Sequence, residues 1–246
     1  MFHAATKCIR VFSVMVVANK VGGKITDEKL KHAAAITAEW LDNNEDGLVD
    51  DVAANNAIAR RNGTVLLVNN EQGDENVFGD RFGNNAGITW SKLVVHQIPP
   101  EMSNGNFDAS LEEILHLIHD TGYMYAHPDL SPGGTLENRV QGLTKLTDAM
   151  DTARGGNFMT VPAQYPSDAW YSYDDVGCDY RCQAGEYFFW LVSSVLGTQV
   201  SRCNDIRHEW SLCTREQVQA TDTAGYPFIT NPAHNLPTVL PDGRYR

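Results

Sequence analysis

The chain holds one stretch whose residue types and spacing suit metal chemistry above all others. It reads Leu111-Glu112-Glu113-Ile114-Leu115-His116-Leu117-Ile118-His119-Asp120. Wound as a helix at about 100° per residue, it puts Leu111, Ile114, Leu115 and Ile118 on one face. Glu112, Glu113, His116, His119, Asp120 and Tyr123 then share an arc of roughly 120° on the other. Residues four apart sit one turn apart, so Glu112 and His116 can bind one ion, and His116 and His119 can do so at three apart. Imidazole and carboxylate both serve zinc or another divalent transition metal. The plain alternative is a solvated helix face with internal ion pairs.

A second stretch, Asp42-Asn43-Asn44-Glu45-Asp46-Gly47-Leu48-Val49-Asp50-Asp51, offers hard oxygens. Asp42, Asn44 and Asp46 fall at loop positions one, three and five, and Gly47 at six. The Leu48 carbonyl follows at seven and Asp50 at nine. Calcium takes six to eight oxygens, and the glycine permits the sharp turn on which they converge. About ten residues here resemble the calcium loop of the EF-hand and dockerin families. The resemblance implies a structural calcium site pinning two helices. It departs at position twelve, where Ala53 replaces the bidentate Glu, and leaves Asp50 or Asp51 to substitute. The alternative is an acidic, solvated turn.

The Glu/His stretch resembles the active-site helix of the zincin metallopeptidases, H-E-x-x-H, in the form Glu112-Glu113-Ile114-Leu115-His116. Glu112 stands where the first His would be, while the Glu and the second His persist as Glu113 and His116. A strand over Lys92 to Ile98 precedes the helix, where that fold places its edge strand for substrate. The resemblance implies a third ligand from a later helix. Glu186 is the candidate there, alone among Tyr187, Phe188, Phe189, Trp190 and Leu191, where a carboxylate is costly unless paired or metal-bound. His119 competes for that role. It further implies metal-assisted hydrolysis, with Glu113 as general base and Tyr173 or Tyr171 stabilising the oxyanion. A second anionic ligand acidifies bound water less than imidazole does. A di-iron reading of Glu113-x-x-His116 needs a second such pair, which the sequence lacks.

The elements that must position these groups alternate over the first 125 residues. Arg10–Ala18 reads as a buried strand, and Thr26 caps a helix over about 27–41. A second helix, about 51–61, stops at Asn62-Gly63. Thr64–Val68 and Lys92–Ile98 read as further strands, the latter halted by Pro99-Pro100. Val21–Lys24 reads as a turn and residues 69–91 as a long loop. Helices follow at Ser110 to about Tyr123, 137–154, 182–196 and 214–220, with an irregular aromatic segment over 157–180 and an extended, proline-bearing tail from Pro227. Asp148 and Asp151 suit pairing with Arg154, and His96 reads as structural. The fold expected is α+β: one domain with two lobes, about 1–125 and 126–246, a small sheet with packed helices followed by a mainly helical, loop-rich part.

Over 246 residues, 19 Lys plus Arg against 31 Asp plus Glu give a net charge of −12. That balance, with no basic stripe, argues against nucleic acid. The longest apolar stretch, Val11 to Ala18, is far short of the ~20 residues that span a bilayer, so no membrane insertion is expected. Cys178, Cys182, Cys203 and Cys213 cluster, with three, twenty and nine residues between them. Only the first pair has structural-zinc spacing, so disulfides Cys203–Cys213 and Cys178–Cys182 are expected, in an oxidising compartment: secreted, extracellular or periplasmic. Asn62-Gly63-Thr64 is a glycosylation sequon. No phosphate loop, nucleotide fingerprint or G-x-S-x-G elbow is present. Two readings remain open. One is a secreted zinc-dependent hydrolase acting on peptide bonds or another small extracellular ligand. The other is a calcium-stabilised, non-catalytic binding or matrix protein.

Overall fold

The computed structural model describes residues 5–19, 25–70, 87–100, 102, 107–133 and 144–246. The turn expected over 21–24, most of the 69–91 loop and the start of the helix expected from 137 lie outside the described residues. The fold is α+β, and the chain divides into two compact units: Met1–Ala126 with Pro241–Arg246, and His127–Leu240.

The first unit is built on a four-stranded sheet in the order β1-β2-β3-β4. Strand β1 (Ala5–Val11) pairs antiparallel with β2 (Val14–Asn19), and β2, β3 (Thr64–Val68) and β4 (Trp90–Val94) run parallel. The single strand expected over Arg10–Ala18 is therefore a hairpin, closed by Val11 opposite Val14. The turn is hidden in the sequence because Phe12 takes a left-handed φ of 48°, a conformation bulky residues rarely adopt. Strand β3 is buried along its whole length, as a parallel strand covered on both faces must be. Strand β4 is an edge and ends earlier than expected. Val95–Gln97 wind into a 3-10 turn, where the buried Lys29 ammonium donates to the carbonyls of Val95 and Ile98 at 2.5 and 3.2 Å.

Helix α1 (Asp27–Leu41) begins at Thr26, whose side chain accepts from the Lys29 N–H. It packs on β1 and β2 through Leu30, Ala33, Ile36 and Trp40. Helix α2 (Val52–Arg61) is capped by Asp51, which accepts from the Ala54 N–H at 2.8 Å. It ends at Asn62 in the left-handed region (φ 51°), with the Gly63 N–H returning to Ile58. A Cβ on Gly63 would lie 2.7 Å from Ile58 Cγ2, so any larger residue at this stop forces Ile58 to shift. Helix α3 (Ser110–Ile118) packs on β4 and α1 and continues through a π turn, His119–Tyr123, into one further turn, Met124–Ala126.

The second unit is helical and loop-rich. Helix α4 (Lys145–Ala153) opens with a reciprocal cap between Thr144 and Thr147, and α5 (Tyr180–Val195) starts at Asp179. The segment expected to be irregular lies between them. It is threaded through the core by Tyr171, which bridges to Trp210 and lies against the Tyr187 and Trp210 rings. Buried Arg154 pairs with Asp151 at 2.5 Å, as the spacing implied, and also reaches Gln183 and the Phe158 carbonyl. Disulfides join Cys178 to Cys182 and Cys203 to Cys213, and Cys8 is free and exposed. Helix α6 spans Arg215–Thr221.

The tail is not uniformly extended, because Gly225–Ile229 form helix α7 and Pro232–His234 a 3-10 turn. Pro227 falls in the first turn of α7, where its missing N–H costs nothing. Buried Asp222 fixes this corner by accepting from Tyr187 (2.7 Å), Trp170 Nε1 (3.0 Å) and the Gly225 N–H (2.7 Å). No helix among the described residues is long and apolar enough to cross a membrane.

Candidate metal centres

Helix α3 buries Leu111, Ile114, Leu115, Leu117 and Ile118, which leaves a narrow exposed strip. Glu112 and His116 lie on it, with side chains 28% and 19% exposed, and Glu112 Oε1 stands 3.9 Å from His116 Nε2. That is too long for a hydrogen bond. It is close to the roughly 3.3 Å that two ligand atoms span on a tetrahedral zinc with bonds near 2.05 Å. A small side-chain rotation brings both onto one ion, so this pair fits a divalent metal. Glu113 points to the sheet, where its Oε2 accepts from Ser91 Oγ at 2.9 Å and ties α3 to β4.

Two members of the expected arc leave it. His119 is fully buried, 4.0 Å from the Asp120 carboxylate, and Tyr123 is buried with its hydroxyl directed at the Trp40 carbonyl. His119 still follows the regular helix, its N–H bonding the Leu115 carbonyl, and lies one turn from buried Leu115 at the arc's edge, so it goes in with the core face; the π turn that follows it displaces only Tyr123 from the 100° step. Burial pushes the Tyr123 phenol well above its ordinary range, helped by Asp51 and Asp50.

The remaining candidates belong to the second unit. Glu186 lies on α5 and is partly exposed, so it is less deeply buried than its aromatic neighbours imply. Tyr171 is fully buried and donates to the Gln183 carbonyl at 2.7 Å, which removes it as an oxyanion donor. Its phenol is held far above the usual range, first by burial and then by Glu186. Tyr173 is partly exposed in the irregular segment.

The acidic loop between α1 and α2 is a tight turn that folds around its own oxygens. Asp42, fully buried, accepts from the Asp46 N–H at 3.1 Å and the Gly47 N–H at 2.8 Å. Asn44 Oδ1 accepts from Asp46 N–H, Asp46 Oδ1 from Leu48 N–H, and Asp50 Oδ2 from Asn43 N–H. Glu45 (φ 56°) and Gly47 (φ 87°) take the left-handed conformations the turn requires. Each carboxylate oxygen keeps acceptor capacity beyond one such bond. Among the described residues, Asp42, Asp46 and Asp50 do not bring three carboxylate oxygens within 4.8 Å of one another, so a hard cation here would need these side chains to turn inward. Asp51 caps α2 through Oδ1, which accepts from the Ala54 N–H at 2.8 Å. Asp50 is raised above the ordinary carboxylate range, first by desolvation and then by Asp42 and Asp46.

Sequence reasoning missed what holds this loop from behind. Glu39, one turn before Asp42 and buried, accepts from three backbone N–H groups of the chain's end: Asp242 (2.6 Å), Gly243 (3.0 Å) and Arg244 (2.7 Å). The Tyr245 hydroxyl donates to Asp42 Oδ2, and its phenol is pushed up to about 12 by burial and by that carboxylate. The signal was present: Glu39 is an acid inside a run buried from Ile36 to Asp42. Also missed was the pairing of His32 Nε2 with Asp108 Oδ2 at 2.6 Å, where Ser110 Oγ donates to Asp108 Oδ1 at 2.5 Å. Comparison with protein-family models, curated proteins and solved structures finds no match.

Proposed function

We propose that this protein is a secreted metal-binding protein, with a structural calcium loop at Asp42–Asp50 and a zinc-type site on α3 that hydrolyses peptide bonds. The observation that carries the reading is the Glu112–His116 pair, one turn apart and partly exposed on a helix otherwise buried, beside a second carboxylate. Zinc would supply a Lewis acid and a more acidic water. Glu112 and His116 would hold it, and Glu113 would take the water's proton. Ser91 orients the Glu113 carboxylate, since a hydrogen-bonded carboxylate keeps one rotamer. The third ligand is decided by variants, because the sequence nominates both Glu186 and His119. Two disulfides support the oxidising compartment that the reading requires.

The experiment is elemental analysis of the whole chain purified without added metal. Stoichiometric zinc is expected, lost in Glu112→Ala and His116→Ala and in one of Glu186→Gln and His119→Gln. Zinc without hydrolysis, or hydrolysis that survives Glu113→Gln, removes the enzymatic part. Calcium alone favours the non-catalytic, calcium-stabilised protein. Excess calcium is expected to raise the Tm over chelator. With Ala53 at position twelve, the affinity belongs to the weak extracellular range of about 10⁻⁴–10⁻³ M. Equal melting in calcium and chelator removes the loop from the reading.

A further inference from the structure

The sequon Asn62-Gly63-Thr64 is the only one in the 246 residues, and it falls where the fold can carry what it encodes. Asn62 caps α2 at a surface turn, exposed, and its Nδ2 donates to the Gly87 carbonyl at 2.9 Å. Beside it opens a cavity of about 320 Å³ that Asn62 and Thr64 themselves help to line, together with the apolar Met15, Ala59 and Ile88 and the polar Arg10 and Ser13. This is the size of a small-ligand site. An apolar wall with donors at its edge is the surface a sugar ring matches, with one C–H face and a girdle of hydroxyls.

We propose that Asn62 carries an N-linked glycan and that its first sugar lies in this cavity. The proposal rests on the secretory reading, because the transfer occurs only in that pathway. In the reaction, Asn62 Nδ2 bonds the anomeric carbon of an oligosaccharide carried on a lipid diphosphate. The sugar–oxygen bond to the diphosphate breaks, the lipid diphosphate leaves, and Nδ2 loses one of its two protons. One N–H remains on Nδ2 after the transfer. The turn's own needs account for an αL residue at 62 and for Gly63, but not for the open, partly apolar cavity that Asn62 lines.

The test expresses the full chain behind a secretion leader in animal cells and maps the Asn62 peptide by mass spectrometry without reduction. The expected result is one glycan. It is absent from Asn62→Gln and from Thr64→Ala, which leaves Asn62 in place, and retained in Thr64→Ser. An unmodified Asn62 overturns the proposal. The secretory reading is judged apart from this, on chain recovered from its own source: intact Cys178–Cys182 and Cys203–Cys213 bridges there leave it standing, and absent bridges remove it. Trimming the glycan to its first sugar and then removing that sugar is expected to lower Tm by about 2 °C or more. An unchanged Tm overturns the seating in the cavity.

Discussion

Replacing Glu39 by Gln tests how the end of the chain is held. The carboxylate takes Asp242 and Gly243 N–H on Oε2 and Arg244 N–H on Oε1, at 2.6 to 3.0 Å. A Gln carbonyl can serve only one of these positions. Turned toward Asp242 and Gly243, it sets its NH₂ against the Arg244 N–H, donor against donor. Losing one charge-assisted bond costs about 1.5–3 kcal/mol, and a stranded buried N–H about 1–3 kcal/mol more. Against this, burial holds Glu39 above its ordinary carboxylate value, so removing the charge relieves part of the desolvation. The net expected loss is about 2 kcal/mol, or roughly 30-fold in an opening equilibrium. Amide exchange of Asp242, Gly243 and Arg244 should quicken by that factor, while β3 amides change little. Tyr245→Phe, which removes one hydroxyl bond to Asp42, should cost about 1 kcal/mol and leave those three amides protected. Exchange in Glu39→Gln within threefold of the parent chain would refute the anchoring role.

Asp222 gives a pH test. Desolvation holds its carboxyl above the ordinary 3.8 despite the Tyr187, Trp170 and Gly225 donors. A raised folded pKa means the folded state binds the proton more tightly. Its contribution is therefore full below about pH 3.8 and is lost as pH rises through the folded value. The stability difference between the parent chain and Asp222→Asn, from urea titrations across this window, should shrink with rising pH; a difference that grows would sink the argument. Gly63→Ala should destabilise the first unit by about 1–3 kcal/mol, because the new methyl meets Ile58 Cγ2 at 2.7 Å inside a packed contact. A Tm unchanged in this variant would mean that Ile58 yields freely.

How much of this was legible depended on whether the governing contacts were local. Helix α1, its Thr26 cap, α2 with its Asn62-Gly63 stop, and β3 follow from residue periods and from side chains that act within one turn. The acidic loop is legible for the same reason, since its oxygens and N–H groups lie within eight residues of one another. The β1–β2 hairpin was not legible, because its turn rests on a strained Phe12 rather than on Gly or Asn. The polar arc of α3 was half legible. Glu112, Glu113 and His116 keep the 100° step; His119 keeps it too but lies at the arc's edge one turn from buried Leu115, and Tyr123 fails because it follows the π turn, where the step changes. Tyr171 failed as a surface donor because an aromatic in an irregular segment fills a core as readily as it lines a groove.

The buried carboxylates show why the last part stayed hidden, and they also separate the two kinds of acid in this chain. Glu39 and Asp222 each sit among three donors from the protein itself, most of them backbone N–H groups or side chains far away in sequence. Such acids are structural, since their hydrogen-bonding needs are met without an ion. Asp42 differs: it takes two N–H groups and a phenol while standing close to Asp46 and Asp50, and the latter is destabilised as a charge by both. Glu112 differs again, with an imidazole 3.9 Å away, too far for a hydrogen bond and within a side-chain rotation of sharing an ion. A lone acid in an apolar run therefore has two meanings that sequence cannot separate, and donor geometry does so. Where backbone amides surround the carboxylate, it holds the fold together. Where other acids or an imidazole share its space, as at Asp42 and Glu112, a cation is the proposal that the zinc and calcium measurements decide.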